Sequence, residues 1–307
     1  MWCGMPNWLN QEIIYTYSVP LFVLVIVLEL AYSNLRGLRL YALKDSLTSA
    51  TFALSNLGLD MLFKGVSFAV LGWCFVHRAV DWSTQGVWYW LLLVILQDLA
   101  YWTQHTVDHS SRLFWAIHST HHNSNEYNLT TGFRSSVLQP LYRYVYFMPL
   151  AWLGFHPLHI MFVYVVTQIY GNLVHTQTIG KLGWVEKVLV TPSHHRVHHA
   201  SNTPYLDKNM GMLFIAWDKL FGTFEAEGRD PEPIRYGTVS APESRSPWAL
   251  FTYELKNIWH DVRLPNLTTW QRLCYVFAPP GWSHDGRTQT AKQMQREWDA
   301  AHPNTNG

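Results

Sequence analysis

Cysteine is nearly missing from this chain of 307 residues: Cys3, Cys74 and Cys274 stand alone, and no CxxC occurs. That excludes an iron–sulfur cluster and a thiolate-rich structural zinc site, both of which need grouped thiolates. Charge is scarce as well. Asp, Glu, Lys and Arg make up 14% of the residues, where an average soluble domain carries about a quarter. A formal net charge of +1, no basic run and no Gly-rich phosphate loop leave nucleic acid out of the expected partners. What the chain has in quantity is apolar surface, 49% hydrophobic and 15% aromatic, the balance of a membrane protein with a sizeable polar part.

Residues 13–32 and 87–103 are long enough, or nearly so, to cross a hydrocarbon core that needs roughly 20 residues. Residues 47–76 form a third apolar stretch. Residues 137–174 form a fourth and fifth, separated at Gly154-Phe155-His156-Pro157, where proline disfavours helix for the residue before it. Four to five membrane passes are expected. The first stretch lacks the basic start and small-residue exit of a cleaved signal, so it reads as a retained helix. Arg36, Arg39 and Lys44 follow the first span, Arg112 and Arg134 the third, and Lys181 and Lys187 the last, with Arg78 on the opposite side. By the positive-inside rule those loops face the cytoplasm, of a bacterial inner membrane or of the endoplasmic reticulum. Asp60 and Lys64, one turn apart in an apolar stretch, are expected to pair with each other near the interface.

The fold expected is an all-α integral membrane protein in three parts. Residues 1–176 form the transmembrane helical region with a cytosolic insert at about 105–136, residues 177–240 a cytoplasmic cap, and residues 241–307 a C-terminal tail. Within the tail, WQRLCYVFAPPGW at 270–282 reads either as an interfacial segment, because tryptophan favours that depth, or as an ordinary surface helix.

Histidine is the other surplus. Of sixteen, five fall in HTVDH and HSTHH (His105, His109, His118, His121, His122) and four in SHHRVHH (His194, His195, His198, His199). Residues three and four apart share one face of a helix, so His105/His109, His118/His121/His122 and His195/His198/His199 are three aligned sets. A lone histidine is ordinarily satisfied by a backbone carbonyl, but three aligned sets together read as a metal site. Eight neutral imidazoles exceed the three or four protein ligands one zinc-type ion accepts, which points to two metal ions. Imidazole suits zinc, copper, iron and nickel. At a membrane face a redox metal acting on a lipid is the expected use, since a hydrolase reaches its substrate more simply from water. Iron with dioxygen fits best. Such chemistry needs a dry pocket and a channel, and the apolar helices around 87–103 and 137–174 are the candidates to form it.

Supporting groups are expected to orient the imidazoles through their other ring nitrogen. Asp98, two turns before His105 on one helix, is expected to support a ligand or line the channel. Asp207 and Asn209 follow the last set closely enough to lend hydrogen bonds, and equally suit helix capping. These three are the candidate catalytic residues besides the imidazoles. Asp108 lies on a different face from His105 and His109 and is expected at the solvent.

HTVDH, HSTHH and HHRVHH, in that order and flanked by apolar helices, resemble the HxxxH, HxxHH and HxxHH boxes of the fatty acid hydroxylase/sterol desaturase superfamily. EYNLTTGFR at 126–134, HTQTIGKLG at 175–183, TPSHHRVHH at 191–199 and DKNMGMLFIAWDKLFGTFEAE at 207–227 look like its branch that cleaves the ether bond of alkylglycerols. Met210 departs from that pattern, standing where the family often has an aromatic residue. The resemblance spans roughly residues 40–230. It implies two iron ions bound by His105, His109, His118, His121, His122, His195, His198 and His199, with His175 as a further ligand and His194 supporting its neighbours. It also implies a helical membrane bundle carrying a cytoplasmic helical cap, a membrane lipid as substrate and O2 as co-substrate. The reductant is then external, tetrahydrobiopterin or an electron-transfer protein, for this chain shows no fused haem, flavin or ferredoxin module.

Three other readings remain open on the residues alone. The same centre hydroxylates or desaturates a sterol, a carotenoid or a polar-lipid acyl chain. A histidine-rich metal-transport protein would also cluster imidazoles, although it would place them within the spans, and a scaffold can keep a fold and lose its chemistry.

Overall fold

Two helices set the frame: α1 (Gln11–Leu35) and α2 (Leu43–Val76) are long and apolar enough to cross a membrane. The computed structural model describes residues 11–303; Cys3 and the outermost residues of the expected first and last regions, 1–10 and 304–307, lie outside the described residues. At 34 residues, α2 is about 51 Å long, well beyond the ~30 Å a hydrocarbon core needs. Its surplus sits at the N-terminal end, where Asp45 pairs with Arg134 at 2.8 Å and Asn56 donates to the Ser136 carbonyl at 2.7 Å. The remaining part exposes Leu57, Met61, Leu62, Val66, Trp73 and Val76, a surface that only lipid covers without cost.

The other expected passes take a different form. The helix α3 (Val87–Ser110) turns Gln97 and Asp98 fully inward, and among the described helices only α1 and α2 meet the requirement of length and apolarity for a span. The stretch 137–174 divides into a 3-10 turn at Gln139–Leu141, a ten-residue α6 (Arg143–Trp152) and α7 (Pro157–Leu173). At 1.5 Å per residue α6 is about 15 Å long, half a crossing. The two are divided where the chain reverses at Gly154, whose φ is +88° and whose missing Cβ would sit 2.1 Å from the Val80 carbonyl. Only glycine fits there. Leu71, Leu93, Phe147, Leu150, Phe155 and Ile160, all buried, form the core between α2, α3, α6 and α7. The carboxylate of Asp60 pairs with Arg143 and so ties α2 to α6.

Beyond the C-terminal end of α3 lies a helical layer: α4 (Arg112–His122), α5 (Leu129–Gly132), α8 (Pro192–His198) and α9 (Ala216–Phe221). The tail adds α10 (Pro247–Asp261), α11 (Thr269–Phe277) and α12 (Ala291–Ala301). Of these, α10 and α11 pack on α4, and α12 packs on the turn at Thr203–Tyr205. Arg112 is the pin, since its buried guanidinium meets Glu254 at 2.7 Å and Asp261 at 2.8 Å and its backbone N–H donates to Ala278. Among the described residues β-structure is limited to two isolated bridges, Leu189 with Phe214 and Ala200 with Tyr236.

Candidate metal centre

Box residues come from three elements that end at one place. His105 and His109 are on the last two turns of α3, His118, His121 and His122 at the end of α4, and His195 and His198 on α8 with His199 as its C-cap. The short helix α8 is started by Thr191 and Pro192, and the Nδ1 of His194 accepts from the Thr191 N–H at 3.3 Å. His194 thus serves as a helix cap. His175 arrives from the end of α7.

The structure divides nine imidazoles into two groups, His105, His109, His118, His122 and His198 in one and His121, His175, His195 and His199 in the other, each with its donor atoms within 4.8 Å of one another. Four Nδ1 atoms are engaged outward with backbone carbonyls: His105 with that of Met210 at 2.8 Å, His121 with that of Arg134 at 3.1 Å, His175 with that of Gly171 at 2.8 Å, and His198 with that of Lys208 at 2.9 Å. His109 Nδ1 lies 3.1 Å from Asp207 Oδ1. A carbonyl or carboxylate only accepts, so each of these five rings carries its proton on Nδ1 and turns a bare Nε2 lone pair inward.

Those inward atoms crowd one another. Nε2 of His105 is 3.0 Å from that of His118, Nε2 of His175 is 3.4 Å from that of His121, and Nε2 of His109 and of His198 are buried with no hydrogen-bond partner. His121 and His175 both carry their protons on Nδ1, and their facing lone pairs repel unless a cation lies between them. With nitrogen to metal distances of about 2.0–2.1 Å, neighbouring ligand atoms stand roughly 3.0–3.4 Å apart, the spacing seen here. The residues therefore fit metal ions. Burial, followed by the neighbouring imidazoles, holds the pKa of His118, His122, His195, His198 and His199 well below the ordinary value, and His175 is pushed down to about 4, chiefly by burial. All six rings stay neutral at pH 7, which is the ligating form.

One segment, Asp207–Gly211, orients three rings of the first group: its carboxylate serves His109, the Lys208 carbonyl His198 and the Met210 carbonyl His105. Asp207 and Asn209 hold φ of +53° and +54°, the left-handed conformation that aspartate and asparagine tolerate best after glycine. The segment is clamped from both sides. Asn209 donates to the carbonyls of His194 and Glu225, and Asp218 accepts from the N–H groups of Met210 and Gly211 at 2.7 and 2.8 Å. The Asp98 carboxylate accepts from the N–H groups of Leu213 and Phe214 and from the Trp217 indole.

Of the three candidate catalytic residues, then, Asp207 meets an imidazole, whereas Asn209 and Asp98 hold the backbone around it. The departure at Met210 leaves the site intact, because the bond it makes uses its carbonyl. Asp108 corrects an expectation. It is fully buried, accepts from Tyr142 at 2.7 Å and Gln139 at 3.0 Å, and lies 3.9 Å from His118 Nδ1. The signal was present in the sequence, for Gln104 and Asp108 repeat the one-turn spacing of His105 and His109 on an adjacent face. Ser136, 3.1 Å from His118 Nδ1, carried no such signal.

A cavity of about 600 Å³ reaches His109, His122, His198 and His199 and is walled by Trp115, Leu206, Val239 and Met294 among others. The volume is in the range of small-molecule sites. Its walls come from the end of α3, from α4, from residues 198–240 and from residues 280–294. The apolar helices expected to make a channel fill their own interface instead, packing Leu93, Phe147, Phe155 and Ile160 against one another. Closed groups of imidazoles beyond the ends of apolar helices, beside one cavity, suit a catalytic centre better than a transport path.

Residues 90–223 match the family model described as fatty acid hydroxylase. The chain is 32% identical over 273 residues to a human alkylglycerol monooxygenase, covering 86% of this chain and 59% of that protein. It is 26% identical over 208 residues to a delta(7)-sterol 5(6)-desaturase of Gibberella zeae, covering 62% of this chain and 59% of the relative. An ornithine lipid hydroxylase of Rhizobium tropici is 26% identical over 136 residues, 44% of this chain and 41% of that one. The chain thus spans about three fifths of the human relative's length. No solved structure matches.

Proposed function

We propose, from the match of residues 90–223 to the fatty acid hydroxylase family model, that the chain is a membrane-bound, O2-dependent lipid monooxygenase whose two imidazole groups hold two iron ions. The substrate we favour is an alkylglycerol, the lipid for which the human relative is named. Oxygenation at the carbon next to the ether oxygen gives a hemiacetal, which collapses to a fatty aldehyde and glycerol. One atom of O2 enters the C–H bond and the other leaves as water, with two electrons and two protons from an external reductant.

The observation that carries this reading is the convergence of bare Nε2 atoms, in two groups, beside a cavity large enough for part of a lipid. Iron bound there supplies O2 activation. The chain's own groups do the rest: Trp115, Leu206 and Met294 give the cavity apolar walls that seat an alkyl chain and exclude water, and Asp207 keeps the proton of His109 on Nδ1. With the metal end of α3 and α7 facing the cytoplasm, as the arginine and lysine distribution suggests, a cytosolic reductant such as tetrahydrobiopterin or an electron-transfer protein has access.

The test supplies the intact chain and its His199→Ala variant with heavy-isotope O2, an alkylglycerol and tetrahydrobiopterin, and follows the lipids by mass spectrometry. Fatty aldehyde released by the intact chain alone supports ether cleavage. Alkylglycerol left untouched while label or a new double bond enters a sterol or an acyl chain would move the substrate to the second reading, favoured by the likeness to the sterol desaturase and the ornithine lipid hydroxylase.

A further inference from the structure

Outside the metal centre the tail carries a feature with no part in the chemistry. On α11, Trp270, Leu273 and Phe277 stand at i, i+3 and i+7 and are 72%, 46% and 53% exposed, while Tyr275 on the opposite side is buried. On α10, Trp248 and Trp259 share a face three turns apart and are 69% and 60% exposed. Both helices turn their inner sides to α4, so these residues lie on the side away from it. A soluble surface does not gather three tryptophans and a phenylalanine in this way.

Charge is divided between the same two sides. The carboxylates of this hairpin, Glu254 and Asp261, point inward to Arg112. The cations remain outward: Lys256 and Arg263 are exposed, Arg263 lies 3.5 Å over the Trp259 ring, and Arg272 bonds the Val262 carbonyl between the helices. Tryptophan with lysine and arginine, free of outward carboxylates, is the composition of a helix lying in the headgroup layer of an anionic membrane.

We propose that the α10–α11 hairpin is a monotopic membrane contact, seating its Trp248, Trp259, Trp270 and Phe277 face at the acyl boundary of the same bilayer that α1 and α2 cross. Of the two readings of 270–282, this selects the interfacial one. The seat also places the cavity. Pro280 and Gly281, three and four residues past Phe277, already line it, so a docked α11 holds the mouth of the cavity against the lipid surface. A lipid then enters from the bilayer without passing through water.

The test uses the full chain in nanodiscs containing anionic lipid, with Cys3, Cys74 and Cys274 replaced by serine and a nitroxide placed singly at 270, 273 or 277. Reference labels go at Met61, on the lipid-facing side of α2, and at Glu232, on the exposed cap. The expected result is collision rates with O2 and with a nickel chelate like those of the Met61 label, with nickel access several-fold below that at Glu232. In the Lys256→Glu/Arg263→Glu variant, nickel access at 270 rises on anionic discs. Two results would overturn the proposal: nickel access at all three positions equal to that at Glu232, or dipolar broadening showing the face covered by a second copy. A Met61 label that remains lipid-exposed in every sample separates these outcomes from misfolding.

Discussion

At the scale of single residues, the nine imidazoles are not interchangeable with other histidines of the chain. His122→Ala and His199→Ala remove inward-facing nitrogens and are expected to abolish turnover while leaving membrane insertion unchanged, checked by lipid turnover beside alkaline extraction of membranes. His302→Ala, on the exposed end of α12, changes neither. Asp207→Asn keeps the shape of its side chain but loses the carboxylate facing His109 Nδ1. Its metal affinity is expected to fall about 10- to 100-fold, measured by competition with a chromogenic chelator. The eight box imidazoles were grouped by helical spacing, a strong signal for ligand sets, whereas His175 came only from the likeness of its surroundings to the family. The one-turn spacing of Gln104 and Asp108 was visible too, but that this face would be buried depends on Tyr142 and Gln139 arriving from a different part of the chain.

At the scale of elements, the Asp207–Gly211 segment and its clamps set the geometry of one group. Asp98→Asn sets an amide donor among the three donors of Leu213, Phe214 and Trp217. The expected cost is about 1–3 kcal/mol, visible as a lower midpoint of thermal unfolding in detergent, with metal lost first from the group of five imidazoles. The apolar stretch and the proline at 157 announced α7, whereas α6 was read as longer than it is. Pro140 in the 3-10 turn before it and the reversal at Gly154 after it leave room for ten residues and no more. Nor did any local pattern announce that 280–294 would close a cavity over residues near 109 and 198, since such contacts depend on the Arg112 pin.

At the scale of the whole molecule, the buried imidazoles couple stability to pH. Their folded-state pKa values lie below the ordinary value, so as pH falls through ~6.5 the unfolded chain takes up protons that the folded one does not. Stability conferred by neutral, buried His118, His122, His195, His198 and His199 is therefore fully present above about pH 7 and is lost on acidification. Each ring contributes at most about 1.4 kcal/mol per pH unit. Chelator-treated protein is expected to show a steeply falling unfolding midpoint between about pH 7 and 5, and the metal-loaded form a higher midpoint at pH 7, because a ligand that binds only the folded state stabilises it.

The carboxylate of Glu29, buried near the C-terminal end of α1, accepts from the Leu129 N–H, from Tyr41 and from Thr176, next to His175. Thr176 lies 147 residues later in the chain. At about 5–20 residues per second, a newly made α1 spends on the order of ten seconds on the ribosome before its last hydrogen-bonding partner exists. The locking of α1 thus lags far behind its synthesis, and its closure is a checkpoint that only a chain extended past the end of α7 can pass.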